Sequence, residues 1–94
     1  MNRFVPAILL YGLLLGTTLP LSAADPVKGK QLHDANCVRC HDSGVYTRPD
    51  RRIQSMEALH AQVARCELTL DLQWFDEDRE NVAAYLNDAF YKFQ

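Results

Sequence analysis

Five consecutive residues, Cys37-Val38-Arg39-Cys40-His41, constrain this chain more than any other feature. Two thiols three positions apart fall on one helical turn, and the imidazole that follows is held next to them. Side chains of this kind at this spacing serve a redox disulfide or a metal centre. The chain holds three cysteines, so pairing within the molecule leaves one thiol over, which argues against a plain disulfide scaffold.

The order Cys-x-x-Cys-His is the attachment signature of a c-type haem. Cys37 and Cys40 are spaced to reach two vinyl groups on one porphyrin edge and form thioethers, while His41 reaches the iron from one side. Such a tether prevents cofactor loss outside the cell. A thioredoxin-like motif would need alternating strands and helices, and no such pattern is visible. A zinc site that also recruits His60 and Cys66 is the runner-up.

The N-terminal residues place this chemistry outside the cytoplasm. A basic start ending at Arg3, an apolar run from Phe4 to Leu15, a break over Thr17 to Pro20 and the small residues Ser22, Ala23 and Ala24 together make a secretory signal peptide. Residues 1–24 are therefore expected to be removed, leaving one domain over 25–94 in the periplasm of a bacterium. The run is interrupted by Pro6 and Gly12 and falls short of the roughly twenty apolar residues that a span requires. No stable membrane span is expected after cleavage.

A domain of about 70 residues buries too little surface to be secure on its own core and usually borrows an insert. One covalently attached haem c would be that insert. With Arg3 set aside, the ten lysines and arginines of the whole chain become one fewer, against twelve acidic residues. This acidic balance argues against a nucleic-acid partner.

The remaining residues read as an all-α domain. Asp25 caps a first helix that has Pro26 at its first position and runs to Asn36. Asp42 to Asp50, with Gly44 and Pro49, reads as a loop wrapping one face of the cofactor. Ser55 opens a second helix on which Met56, Leu59, Val63 and Cys66 share one stripe. Leu68 to Phe75 shows no clear period. The acidic trio Asp76, Glu77 and Asp78 then suits the positive end of a last helix, to about Phe90, whose apolar face carries Val82, Tyr85, Leu86 and Phe90.

The pieces Gly29-Lys30-x-Leu32, Asn36-Cys37-x-x-Cys40-His41 and Val82-Ala83-Ala84-Tyr85-Leu86 make residues 25–94 resemble the class I cytochrome c family over nearly their whole length. The resemblance implies about three helices and loops packed around a single haem. It implies that the first and last helices cross where Gly29 meets Tyr85. It also implies that the Pro49 carbonyl accepts a hydrogen bond from the ligating imidazole, although a loop-stiffening proline explains Pro49 equally well. His33 stands where the family often has an aromatic and reads as a surface or helix-packing residue. Arg48, Arg51 and Arg52 either neutralise haem propionates or form a solvated cluster.

The second axial ligand stays open. The family usually supplies a methionine shortly before the last helix, but the matching stretch Cys66 to Thr69 holds none. Cys66 would bind as a thiolate and lower the potential, Met56 would raise it, and His60 is a third choice. A water-bound or vacant position is the fourth. Both sulfur residues have a structural alternative as packing groups.

The function implied is single-electron transfer by an exported carrier that meets redox partner proteins transiently, with no enzymatic activity of its own. Two alternatives belong to other classes. One is a haem-based ligand binder or redox sensor with an open or labile distal position. The other is a haem subunit of a larger exported oxidoreductase, with Trp74, Phe75, Tyr91 and Phe93 as interface aromatics rather than core.

Overall fold

The computed structural model describes residues 23–94. The signal-peptide reading therefore lies outside the described residues, save for Ala23 and Ala24. Helix α1 spans Pro26–Asn36, α2 Gly44–Thr47, α3 Met56–Leu70 and α4 Asp76–Leu86, the last continuing as one π-helical turn over Asn87–Tyr91. The described residues are all-α, with no strand among them. None of the described helices is long and apolar enough to cross a membrane.

Local chemistry explains where each long helix begins. The Asp25 carboxylate accepts from the backbone N–H groups of Val27 and Lys28, at 2.9 and 3.3 Å, and Pro26 occupies the first turn. These are donors that a helix N-terminus otherwise leaves unsatisfied. The Ser55 hydroxyl does the same for Ala58 at 3.0 Å. Phe75 caps α4 without a polar side chain; instead the Asp78 carboxylate reaches back to the Phe75 N–H at 3.0 Å. The three acids in that first turn also face the positive end of the helix dipole.

Helix α3 ends later than the apolar period alone indicates. It runs on to Leu70 and stops at Asp71, whose φ of 54° is left-handed. Asp tolerates this conformation better than most residues because its short polar side chain bonds locally. The expected loop over 42–50 contains the short helix α2, which turns Tyr46 into the core.

Helices α1 and α4 cross in direct backbone contact. A Cβ placed on Gly29 would lie 1.9 Å from the Asn81 carbonyl oxygen and 2.9 Å from the Val82 nitrogen, so only glycine fits. The expected pairing of Gly29 with Tyr85 is thus corrected: the nearest atoms are main chain. Tyr85 lies one turn further on and packs against the His33 ring, with centroids 5.3 Å apart. The crossing is tied by a hydrogen bond of 2.8 Å from the Asp25 N–H to buried Asn81 Oδ1.

The core gathers Leu59 and Val63 of α3, Val82, Ala83 and Leu86 of α4, and two tyrosines, Tyr46 and Tyr91. Leu59 and Val82 are fully buried, each contributing roughly 2 kcal/mol relative to exposure. The π turn, a widened form found at single sites in helices, brings Tyr91 inward. Asn87 locks it by donating to the Phe93 carbonyl and accepting from the Phe93 N–H, at 3.1 and 2.6 Å. Arg51 then fastens this end to the middle of the chain. Its guanidinium donates to the carbonyls of Tyr46 and Tyr91, at 2.9 and 3.3 Å, and lies over the Tyr91 and Phe93 rings.

Candidate functional site

The five-residue motif begins where α1 ends. Cys37 is the C-cap, its N–H donating to the His33 carbonyl at 2.8 Å, and residues 37–40 continue as turns. Cys37 is half-buried and Cys40 exposed, and both carry free thiols, as does Cys66. Burial pushes the Cys37 thiol up, with the neighbouring sulfurs of Cys66 and then Cys40 adding to the effect.

His41 has one nitrogen committed and one available. Nδ1 lies 3.0 Å from the Asp42 carbonyl oxygen, which only accepts, so Nδ1 is the donor there and Nε2 is the ring nitrogen this bond leaves uncommitted. A backbone carbonyl on one ring nitrogen is the usual way a protein orients an imidazole for a metal at the other. The expected partner, the Pro49 carbonyl, does not fill this role. Pro49 is exposed beyond α2, whereas Asp42 is adjacent in sequence and its carbonyl is within local reach.

A line of aromatic and polar groups backs His41. The Tyr46 ring meets it edge-on, with centroids 5.4 Å apart. The Tyr46 hydroxyl lies 2.9 Å from His33 Nε2, and His33 Nδ1 lies 3.0 Å from Asp34 Oδ1 at the surface. A carboxylate accepts only, so the His33 ring donates to Asp34 through Nδ1, and its Nε2 is hydrogen-bonded with the Tyr46 hydroxyl. Burial holds the Tyr46 hydroxyl well above the phenol range, with Cys37 and Tyr91 contributing next. His33 is only 2% exposed, so the packing half of its sequence reading holds and the surface half does not.

Beside the motif lies a cavity of about 330 Å³, in the size range of small-molecule sites. Cys37 and His41 form one part of its wall, and Val63 and Cys66 of α3 another. Val45, Ile53, Leu72 and Trp74 make it largely apolar, and Arg48 and Arg52 also border it. An adjoining cavity of about 370 Å³ shares Cys37, His41, Gln62 and Cys66 and adds Cys40. Both thiols of the motif, its imidazole and the third cysteine thus border one paired hollow.

The other nominated residues fall elsewhere. Met56 packs against the hydrophobic core and His60 is exposed; neither borders the hollow. Among the described residues no three His, Cys, Asp or Glu side chains converge as ligands. The zinc set of Cys37, Cys40, His60 and Cys66 is therefore not assembled. Haem iron asks less of the chain, since the macrocycle supplies the equatorial nitrogens and the protein only axial groups. Arg51 is committed to the C-terminal segment, which leaves Arg48 and Arg52 as the arginines beside the hollow. Of the four aromatics considered for an interface, Tyr91 is buried, Trp74 and Phe93 are partly buried against the core, and Phe75 is 80% exposed.

The residues present fit a covalently held haem: two free thiols in the required order, an imidazole oriented through Nδ1 by a backbone carbonyl, and apolar walls with two arginines beside them. Three supporting residues were not anticipated from sequence. Tyr46 lies in a stretch that reads as loop. Gln62 donates from Nε2 to Cys66 Sγ at 3.3 Å. Buried Glu67 accepts from the Trp74 N–H at 2.9 Å and from Arg79 at 2.7 Å, holding the segment that closes one side of the cavity. Glu67 had a signal, because it lies four residues after Val63 on the buried stripe, where an unpaired carboxylate is costly.

No protein-family model, curated protein or solved structure matches this chain.

Proposed function

We propose that the protein is a small exported c-type cytochrome of cytochrome c-like fold, carrying single electrons through one covalently attached haem. The observation that carries this reading is His41, whose Nδ1 is engaged by the Asp42 carbonyl while its side chain borders the apolar hollow beside Cys37 and Cys40. Cys37 and Cys40 would form the two thioethers and His41 Nε2 would be an axial ligand. When bound, the haem supplies the one-electron chemistry.

The chain's own residues do the rest. Tyr46 and the Asp42 carbonyl hold the His41 ring in place, which would keep it as a ligand in both oxidation states of a bound haem. Val45, Ile53, Val63 and Trp74 would present an apolar wall to the cofactor. Arg52, and Arg48 in exchange for its exposed pairing with Asp50 at 3.4 Å, would neutralise carboxylate groups at the edge of the cofactor. Electrons would arrive from and leave to partner proteins through brief encounters, which bury little surface.

The test is mass and colour. Protein matured in a host that exports it and attaches haem should gain the mass of one haem that acid–acetone does not remove, with reversible ferric and ferrous spectra. Unmodified mass, or pigment wholly extracted by acid–acetone, would end the proposal.

A further inference from the structure

We infer that Cys66, rather than Met56 or His60, is the side chain placed to take the second axial position of the iron, with Gln62 as its positioning residue. This rests on the haem reading above. All three candidates lie on α3, so the direction and distance along one helix separate them. Met56 and Cys66 are ten residues apart, roughly 15 Å at the helical rise, and one iron cannot be served by both.

The structure distinguishes the two ends of that helix. Cys66 borders both parts of the hollow, as do Cys37 and His41. Met56, in the first turn, is core packing, and His60 faces solvent. Since Cys37 and Cys40 are consumed by thioethers, Cys66 is the one thiol left to act.

A second observation concerns the sulfur itself. Gln62 sits one turn before Cys66 and presents its Nε2 to Sγ at 3.3 Å. Arg65 Nη2 donates to Gln62 Oε1 at 2.6 Å, so the amide is oriented by both partners and its N–H side must face the sulfur. The line Arg65, Gln62, Cys66 delivers a donor, polarised by a cation, to the sulfur. A neutral packing cysteine needs no such donor, whereas a thiolate is stabilised by one.

With haem bound, Cys66 would lose its thiol proton to solvent and hold the iron through its sulfur lone pair. A thiolate pushes electron density to the metal and favours the ferric state. The Gln62 N–H withdraws part of that density, so this residue sets how far the potential is lowered.

The test uses full-length holoprotein with intact mass recorded first, for the unsubstituted chain and for Cys66→Ala, Cys66→Met, Met56→Leu, His60→Ala and Gln62→Leu. The unsubstituted ferric protein should show low-spin thiolate ligation by absorption and electron paramagnetic resonance. Cys66→Ala should lose that signature and bind carbon monoxide when reduced. Cys66→Met, which keeps the site filled, should stay low-spin with a higher potential. Met56→Leu and His60→Ala should leave the spectrum unchanged, and Gln62→Leu should keep thiolate ligation with a lower potential. A haem mass increment with a ferric spectrum unchanged by Cys66→Ala, or altered by Met56→Leu, overturns the Cys66 assignment alone. Absence of the increment from the unsubstituted protein overturns both readings.

Discussion

His33 Nε2 lies 2.9 Å from the Tyr46 hydroxyl, inside the protein and 13 residues away in sequence. The same tyrosine ring backs His41, so a surface carboxylate, a buried imidazole and a buried phenol lead to the imidazole at the candidate site. Removing the hydroxyl separates the polar role of Tyr46 from its packing role. Tyr46→Phe leaves His33 Nε2 buried without a partner and should lower stability by about 1–3 kcal/mol. Denaturant unfolding measures this directly, and an unchanged midpoint would show that the bond is inconsequential.

Acid should weaken the outer end of this line. Lys30, and after it His33, hold the Asp34 carboxyl below the usual carboxylate range. A depressed carboxyl contributes stability that is present above its unfolded pKa and lost as pH falls through its folded value. Asp34→Asn should therefore flatten the low-pH fall of the melting temperature, leaving the neutral-pH value little altered because Asp34 is largely exposed. Parallel acid profiles for the two proteins would refute this.

Gly29→Ala tests the helix crossing. The new methyl would meet the Asn81 carbonyl at 1.9 Å, and main chain cannot rotate out of the way as a side chain can. Overpacking typically costs about 1–3 kcal/mol, and this contact belongs at the upper end or beyond. Thermal unfolding of the purified variant should show a clear drop, and a melting curve matching the parent would mean the helices separate freely.

Glu67→Ala removes the acceptor shared by the Trp74 N–H and Arg79. The loss should be about 2 kcal/mol, as expected for a charge-assisted bond to a buried carboxylate. Glu67→Gln, which keeps an acceptor for Trp74, should lose less. Comparing the two variants by chemical denaturation decides whether the backbone bond at Trp74 matters; equal losses would say it does not.

Substitutions in the motif test the tether. With a haem attached as proposed, Cys37→Ala or Cys40→Ala would leave one thioether and weaken covalent retention, whereas the double variant would lose it. His41→Ala should abolish normal axial ligation while the thiols remain. Intact mass reads the first effect and the ferric spectrum the second; full retention in the double variant would contradict the assignment of these thiols.

What could be read from the residues alone was what short-range chemistry decides. The starts of α1, α3 and α4 follow from Asp25 with Pro26, from Ser55 and from the acids at 76–78, because a cap is a bond between near neighbours. The motif is equally local, since its meaning lies in five adjacent residues. Tertiary structure decided where distant groups had to meet. Tyr46 turned an expected loop into α2 because its ring is buried among His33, Phe90 and Tyr91. Asn81 backbone replaced Tyr85 opposite Gly29, the Asp42 carbonyl replaced that of Pro49 beside His41, and Glu67 found Arg79. Cys66 and Met56 occupy the same stripe of one helix, so periodicity ranks them alike. Only the packing of α3 against the rest of the chain leaves one beside the hollow and the other in the core, because burial is settled by partners far away in sequence.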